Sequence, residues 1–297
     1  MSFSTDVRNE LIKTEYENSC CKKSLLYGMA LFSKSFSFAQ IAFQTEHKNA
    51  ARLFKQLLSE LCNVKSDISV SPSGKSFSIV IDNPASCAKI MSYFGHTQDE
   101  TSLRINHSNF VCQNCLGAFT AGAFLSVGSV SSPEKEYHME FTVAYMNLSK
   151  SFVTLLQELE LEPKTTTRKG YHIIYFKDSE AIEDCLYIMG ASHSMFDMMN
   201  VKIVKEIRNS ANRRANCETA NIEKTVRAAY PQLEAIYKIK KKKGFKQLSA
   251  PLREMAEKRL ENPDLSLSEL AELFDPPLSR SGANHRLKRL MDIADSL

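Results

Sequence analysis

Two stretches of this 297-residue chain repeat one another at a separation of 95 residues. Ser78-Ile79-Val80-Ile81 leads through Asp82 to Phe94-Gly95, and Ile173-Ile174-Tyr175-Phe176 leads through Lys177 to Met189-Gly190. Each reads as a strand, a turn and a helix closed by a glycine able to take positive φ. Upstream, Leu53, Phe54, Leu57, Leu58 and Leu61 form a helical stripe, and Phe152, Leu155, Leu156 and Leu159 form its counterpart. Earlier still, Leu26 to Phe32 around Gly28 parallels Thr120 to Leu125 around Gly122, at an offset of 94. Tyr137 to Tyr145 alternates apolar and polar residues as a half-buried strand does, and Gly128 with Ser131-Ser132-Pro133 supplies the turn before it. A repeat of this kind constrains the architecture more than any single element does. The fold class is α+β. An α-β-β-α-β-β-α unit occurs twice, over about residues 18–95 and 110–190, in an N-terminal domain of residues 1–195. The small-residue helices of the two halves should pack on each other along a pseudo-twofold axis, with Gly28 and Gly122 allowing close backbone approach.

This duplicated unit resembles the LAGLIDADG homing-endonuclease fold, whose two signature helices meet over a saddle of antiparallel sheets. In that family each signature helix ends in an acidic residue that binds a divalent metal for phosphodiester cleavage. Aligned on the two glycines, those positions fall at Ser33 and Val127. Neither side chain is a carboxylate, and metal-assisted cleavage needs anionic oxygen ligands there. The expectation is a scaffold with no catalytic residue, no nuclease activity and no cofactor.

Charge separates the rest of the chain from this scaffold. Residues 1–201 carry net −3, residues 202–246 net +9, and residues 247–297 net −2. A concentration of positive charge in one 45-residue segment is a pattern expected for contact with a polyanion. The N-terminus, with Asp6 and Glu10, is not a secretory signal, and no apolar run is long enough to span a membrane. A cytoplasmic location follows as an expectation. Eight cysteines, at positions 20, 21, 62, 87, 112, 115, 185 and 217, then read as reduced and partly buried. Cys112 and Cys115 have metal-ligand spacing, but a structural zinc site wants four ligands, usually from two such pairs. Cys20 and Cys21 are adjacent, a poor spacing for two ligands of one tetrahedral ion. Packing is therefore the role assigned to the cysteines, with no metal. A nucleotide or small-molecule sensor finds no support, since the chain has neither a Walker pattern nor a Gly-x-Gly-x-x-Gly loop.

Residues 196–247 read as a basic helical linker, interrupted near Pro231 and ending in Lys240, Lys241, Lys242 and Lys243 before Gly244. The four lysines are candidate phosphate contacts, which add affinity without sequence information. Residues 248–297 read as a compact all-α domain. Pro251 fits a first helical turn. Ser266 and Glu269 have capping-box spacing, opening a short amphipathic helix that Asp275-Pro276-Pro277 breaks. A last helix starts at Ser279, with Ala283, Leu287, Leu290 and Ile293 on one stripe. Its other faces carry Arg280, Ser281, Asn284, His285, Arg286, Lys288 and Arg289. A short helix, a tight break and a helix with such early turns match a helix-turn-helix over Ser266 to Leu297, whose second helix enters the major groove. Arg and Asn suit guanine and adenine edges there.

Taken together, these parts resemble the WhiA family of bacterial sporulation and cell-division regulators over essentially the whole chain. The resemblance rests on Cys20-Cys21-Lys-Lys-Ser-Leu-Leu-Tyr-Gly28, Gly122 to Val130 with Tyr137-His138, and Arg208-Asn209 with Asn212-Arg213. It rests equally on Asn216-Cys217-Glu218, Ala220-Asn221 and Ser281 to Leu287. It implies a degenerate LAGLIDADG domain joined to a C-terminal helix-turn-helix, and sequence-specific binding to double-stranded promoter DNA. It also implies a transcriptional role in cell division or chromosome segregation, at the nucleoid, and in sporulation among sporulating relatives. RNA polymerase or another regulator stands as a further partner. The alternative is a scaffold that binds protein partners of the division or segregation machinery. The readable strand of the saddle shows His138, Glu140 and Thr142 where lysines and arginines would grip DNA, so the scaffold should contact DNA weakly or serve another partner.

Overall fold

The structure, a computed structural model describing residues 2–297, divides into two compact units, residues 1–204 and 205–297. The first is built from the duplicated unit. Its first half runs α2 (Ser19–Leu31), β1 (Ser35–Phe36), β2 (Ile41–Thr45), α3 (Lys48–Cys62), β3 (Ser69–Val70), β4 (Phe77–Ile81) and α4 (Pro84–Tyr93). The second half repeats that order with α5 (Asn114–Val127), β5 (Gly128–Val130), β6 (Met139–Val143), α6 (Met146–Glu158), β7 (Lys164–Arg168), β8 (Tyr171–Phe176) and α7 (Ser179–Met189). The two four-stranded antiparallel sheets have equivalent orders, β1-β2-β4-β3 and β5-β6-β8-β7. Registers place Phe43 opposite Ile79 and Phe141 opposite Ile174, all four fully buried on the helix-covered faces.

The repeat is visible down to its caps. Asn83 accepts from the Ser86 amide to start α4, and Asp178 accepts from the Ala181 amide to start α7, 95 residues later. Gly95 and Gly190 follow those helices with φ of +72° and +91°, the left-handed conformation expected of them.

Helices α2 and α5 cross at their glycines. A β-carbon on Gly28 would strike the carbonyl oxygen of Phe119 and approach the Ala123 nitrogen to 2.9 Å. One on Gly122 would strike the carbonyl of Leu25 and approach the Met29 nitrogen to 2.9 Å. The two α-carbon environments are near-copies of each other, as a pseudo-twofold axis requires. Helix α1 (Phe3–Lys13) buries Val7 and Leu11 against this unit. Its Glu10 carboxylate accepts from the amides of His193 (2.7 Å) and Ser194 (2.9 Å) and from the Ser194 hydroxyl (2.7 Å). Those amides open α8 (Ser192–Lys242), so a distant carboxylate caps that helix where the positive end of its dipole favours an anion.

Helix α8 differs from its sequence expectation in two ways. It does not stop near Pro231 but continues through it as one helix of 51 residues. Proline removes one intrahelical hydrogen bond, and here it lies on an exposed surface, where a freed carbonyl costs less than it would in a core. Residues 196–247 also do not form a separate segment. The division between the units falls inside α8, and Ala235, Ile236 and Ile239, at helical spacing, join the core of the second unit. That core is completed by Met255 of α9 (Ala250–Glu261), Leu270 and Ala271 of α10 (Leu267–Glu272), Phe274, and Ala283, Leu287 and Leu290 of α11 (Arg280–Asp295). Among the described residues, no helix is long and apolar enough to cross a membrane.

Candidate nucleic-acid interface

The second unit sets α11 in place through its caps and one aromatic ring. Ser266 accepts from the Glu269 amide while the Glu269 carboxylate accepts from the Ser266 amide at 2.8 Å, closing the capping box of α10. Hydrogen bonding from the Ser266 side chain, and then from its amide, holds the Glu269 carboxyl below its ordinary range. The connection from α10 to α11 is longer than a tight turn, with seven residues from Leu273 to Ser279. Pro276 and Pro277 cannot donate to a helix, and each pushes the residue before it toward extended backbone. The Leu278 amide then donates to the Ala271 carbonyl (3.0 Å), folding the connection back. Ser279 caps α11 by accepting from the Gly282 amide (3.0 Å).

On α11, Ala283, Leu287, Leu290 and Ala294 are buried, and Ile293 packs half-buried at the edge of the same core. At about 100° per residue, Arg280, Ser281, Asn284, His285, Lys288 and Arg289 fall on the opposite side, and all six are exposed. Arg286 is separate from them. It borders the apolar stripe, is half-buried, and lies over the Phe274 ring at 5.5 Å, with Lys258 over the same ring at 5.1 Å. Lys258 also donates to the Leu273 carbonyl (2.6 Å), closing the end of α10. The lysine run lies at the end of α8, where Lys240, Lys241, Lys242 and Lys243 are exposed. Lys242 donates to the Leu297 carbonyl at 2.5 Å, so it is committed to the fold more than its neighbours are.

The first unit offers a different surface. Ser33 and Val127 come together in one cleft, with Lys34, Gln44, Ser126, Thr142 and Tyr145, and no carboxylate lines it. Ser33 lies just beyond the end of α2 and donates to the Ser35 carbonyl (2.8 Å); Val127 ends α5. On the open face of the second sheet, Glu140 accepts from Arg168 (2.9 Å) and pairs with His138 (3.1 Å). Burial opposes ionisation of Glu140, but His138 and then Arg168 hold its carboxyl below the usual range. A cation that could face phosphate is therefore already neutralised.

Comparison with known proteins places this architecture. Residues 211–294 match the WhiA C-terminal HTH domain, and residues 116–208 match the WhiA LAGLIDADG-like domain. A probable cell division protein WhiA of Clostridium botulinum (strain Eklund 17B / Type B) is 37% identical, over 100% of this chain and 99% of that protein. The chain belongs to the WhiA family. A second WhiA relative, from Alkaliphilus metalliredigens, is 34% identical over 99% of this chain and 98% of its own length. The crystal structure of full-length DUF199/WhiA from Thermatoga maritima shares the fold, with TM-score 0.61 and 22% identity over 100% of this chain and 99% of that one. The crystal structure of an N-terminal LAGLIDADG domain of DUF199/WhiA aligns with TM-score 0.50 and 19% identity, over 64% of this chain and 92% of that one.

Within this WhiA fold, two features escape a reading of sequence. Arg259 on α9 is 1% exposed and donates to the carbonyls of Leu265 (2.5 Å) and Asn262 (3.5 Å), pinning the loop that leads into α10. Burial draws its pKa below the usual guanidinium value, opposed by Asp264. Nothing in the local sequence marks this arginine as interior. Removing it orphans two carbonyls, and charge-assisted bonds of this kind are worth about 1.5–3 kcal/mol. Arg259→Ala should therefore lower the stability of the second unit by about 2–3 kcal/mol, read as a shift in urea midpoint. A loss under about 0.5 kcal/mol would show the loop is held some other way.

The second feature is a cluster of thiols. Cys20, Cys21, Cys112 and Cys115 have their four sulfurs within 4.8 Å of one another. The spacing argument against Cys20 and Cys21 as neighbours of one site does not survive folding. Both lie in the first turn of α2, and their sulfurs reach that of Cys112 at 3.6 and 3.4 Å. Burial pushes the Cys20 and Cys21 thiols up. Burial also opposes ionisation of Cys115, but hydrogen bonds from Ser24 and from the Cys112 and Val111 amides outweigh it and pull that thiol down to about 6.

Proposed function

We propose that this protein is a sequence-specific DNA-binding regulator that reads the major groove with α11 and does not cleave DNA. The observation that carries the reading is the division of α11 into a buried apolar stripe and an opposite exposed face of Arg280, Ser281, Asn284, His285, Lys288 and Arg289. A recognition helix needs its polar side free at the N-terminal end, because those residues reach base edges first. Asn284 suits adenine, and Arg280 and Arg289 suit guanine or phosphate. Arg286 acts at one remove, through its stacking on Phe274. Lys240, Lys241 and Lys243, with the basic residues of α8, supply phosphate contacts. The carboxylate-free cleft at Ser33 and Val127 supports a scaffold without cleavage, since a divalent ion prefers anionic oxygens. The matched relatives are named probable cell division proteins. We extend that role to this chain, with transcriptional control of division or segregation genes from the nucleoid, alone or with RNA polymerase or another regulator.

The test is immunoprecipitation of DNA bound by the full chain in cells, followed by mobility shifts on the recovered fragments. Discrete enriched fragments are expected. Affinity should fall steeply with salt, with a log–log slope of about −4 to −6 if five or six cations meet phosphate. Absence of enrichment together with salt-independent binding would sink the reading. One observation favours the scaffold alternative: Ile222, Val226 and Tyr230 recur at i, i+4 and i+8 on α8 and are 64%, 48% and 61% exposed. An apolar line on an otherwise charged helix suits a protein partner better than phosphate.

A further inference from the structure

The four clustered cysteines are placed by the duplication itself. Cys21 and Cys115 are separated by 94 residues, as Gly28 and Gly122 are, and each precedes its glycine by seven. They are thus equivalent about the pseudo-twofold axis, and both are buried. Each half then adds one more sulfur from a different position: Cys20 from the first turn of α2, and Cys112 from the loop that enters α5. Cys20 and Cys112 are half-buried, leaving one edge of the cluster open for entry. By contrast Cys62, Cys87 and Cys185 are buried outside this cluster, and Cys217 is exposed on α8.

We infer that Cys20, Cys21, Cys112 and Cys115 bind a single zinc ion that ties the N-terminal ends of α2 and α5 together. Three distances carry the geometry. The Cys112 sulfur lies 3.6 Å from Cys20, 3.4 Å from Cys21 and 3.5 Å from Cys115. A tetrahedron with zinc–sulfur bonds of about 2.3 Å has sulfur–sulfur edges of about 3.8 Å. A disulfide would need about 2.05 Å between one chosen pair, and no pair is singled out. A polynuclear iron–sulfur cluster, with its bridging sulfides, would hold the four sulfurs farther apart than they lie. Four soft sulfur ligands select zinc over magnesium or calcium. The Cys112 amide donates to the Cys115 sulfur (3.5 Å), a hydrogen bond that steadies a thiolate ligand.

The surroundings also suit the charge. Four thiolates on a divalent ion carry net −2, and the site sits where two helices begin, with their free amides and positive dipole ends. Each thiol that ligates releases its proton to solvent, and no redox partner is involved. The ion would act as a clasp between the halves. Their glycine crossing supplies close packing but no covalent or ionic tie, and the clasp closes the same helix pair from its far end.

The experiment uses untagged full-length chain purified in reductant without added metal or chelator. Elemental analysis should return about one zinc per chain, and Cys112→Ser or Cys115→Ser should return about a tenth of that or less. The wild-type protein answers even where a variant does not fold. Cobalt exchanged into it should show thiolate charge-transfer absorption and tetrahedral visible bands. Stripping zinc with a chelator should lower the melting temperature by on the order of 10 °C, restored by zinc alone. A fully folded chain free of metal, with the same melting temperature in chelator, would overturn the inference. So would iron in place of zinc, or a disulfide among the four cysteines by mass spectrometry after native purification.

Discussion

Gly122→Ala should destabilise the first unit by about 3 kcal/mol or more, and Gly28→Ala should do the same, because each methyl group would meet backbone rather than a movable side chain. Overpacking elsewhere is relieved when a side chain changes rotamer. At this crossing the carbonyls of Phe119 and Leu25 belong to helices pinned along their whole length by buried Tyr27, Phe119 and Phe124. Relief requires moving α2 from α5, which opens gaps around those rings, and interiors packed like crystals do not tolerate that. The control is Gly170→Ala, at φ +84° with nothing within 4 Å, where only the backbone conformation is penalised, at about 1 kcal/mol. Urea unfolding followed by circular dichroism distinguishes them. Near-equal losses for Gly122→Ala and Gly170→Ala would mean the helices are not locked at this point.

Asn284→Ala should weaken binding to a preferred DNA site by roughly 5- to 150-fold, the value of one bidentate base contact. Its melting temperature should not move, since the side chain is exposed and away from the core. Arg286→Ala should behave differently: it removes one of the two cations stacked on Phe274 and leaves Lys258 alone there, so affinity and stability fall together. Substituting Lys240 and Lys241 together should weaken all sequences alike and flatten the salt slope by about 2. An Asn284→Ala protein that still prefers its site by the original margin would move the reading head away from α11.

Much of this was legible in the chain. The 94- and 95-residue offsets were carried by short-range patterns: the run Ser78 to Ile81, the stripe Leu155, Leu156 and Leu159, and the closing glycines Gly95 and Gly190. Capping boxes and apolar stripes are local, so Ser266, Glu269 and Leu287 declared themselves without a fold. Helix α1 went unread, although Ser2 as a cap and Val7 with Leu11 as a buried pair were there to find. The seven-residue connection before α11 was read as tight because prolines mark where a helix stops, not how far the chain travels before another starts.

The duplication, the helix-turn-helix, the absence of a carboxylate at Ser33 and Val127 and the family were all open to the sequence alone, since each is written in neighbouring residues or in residue identity. Only the tertiary structure placed Arg259 inside, stacked Arg286 on Phe274, and paired Arg168 with Glu140. It alone gathered Cys20 and Cys21 with Cys112 and Cys115, across about 90 residues of chain. Spacing along the chain governs which side chains share a helix face, but a cluster drawn from two helices depends on how those helices cross. Here that crossing is set by two glycines that let the backbones touch.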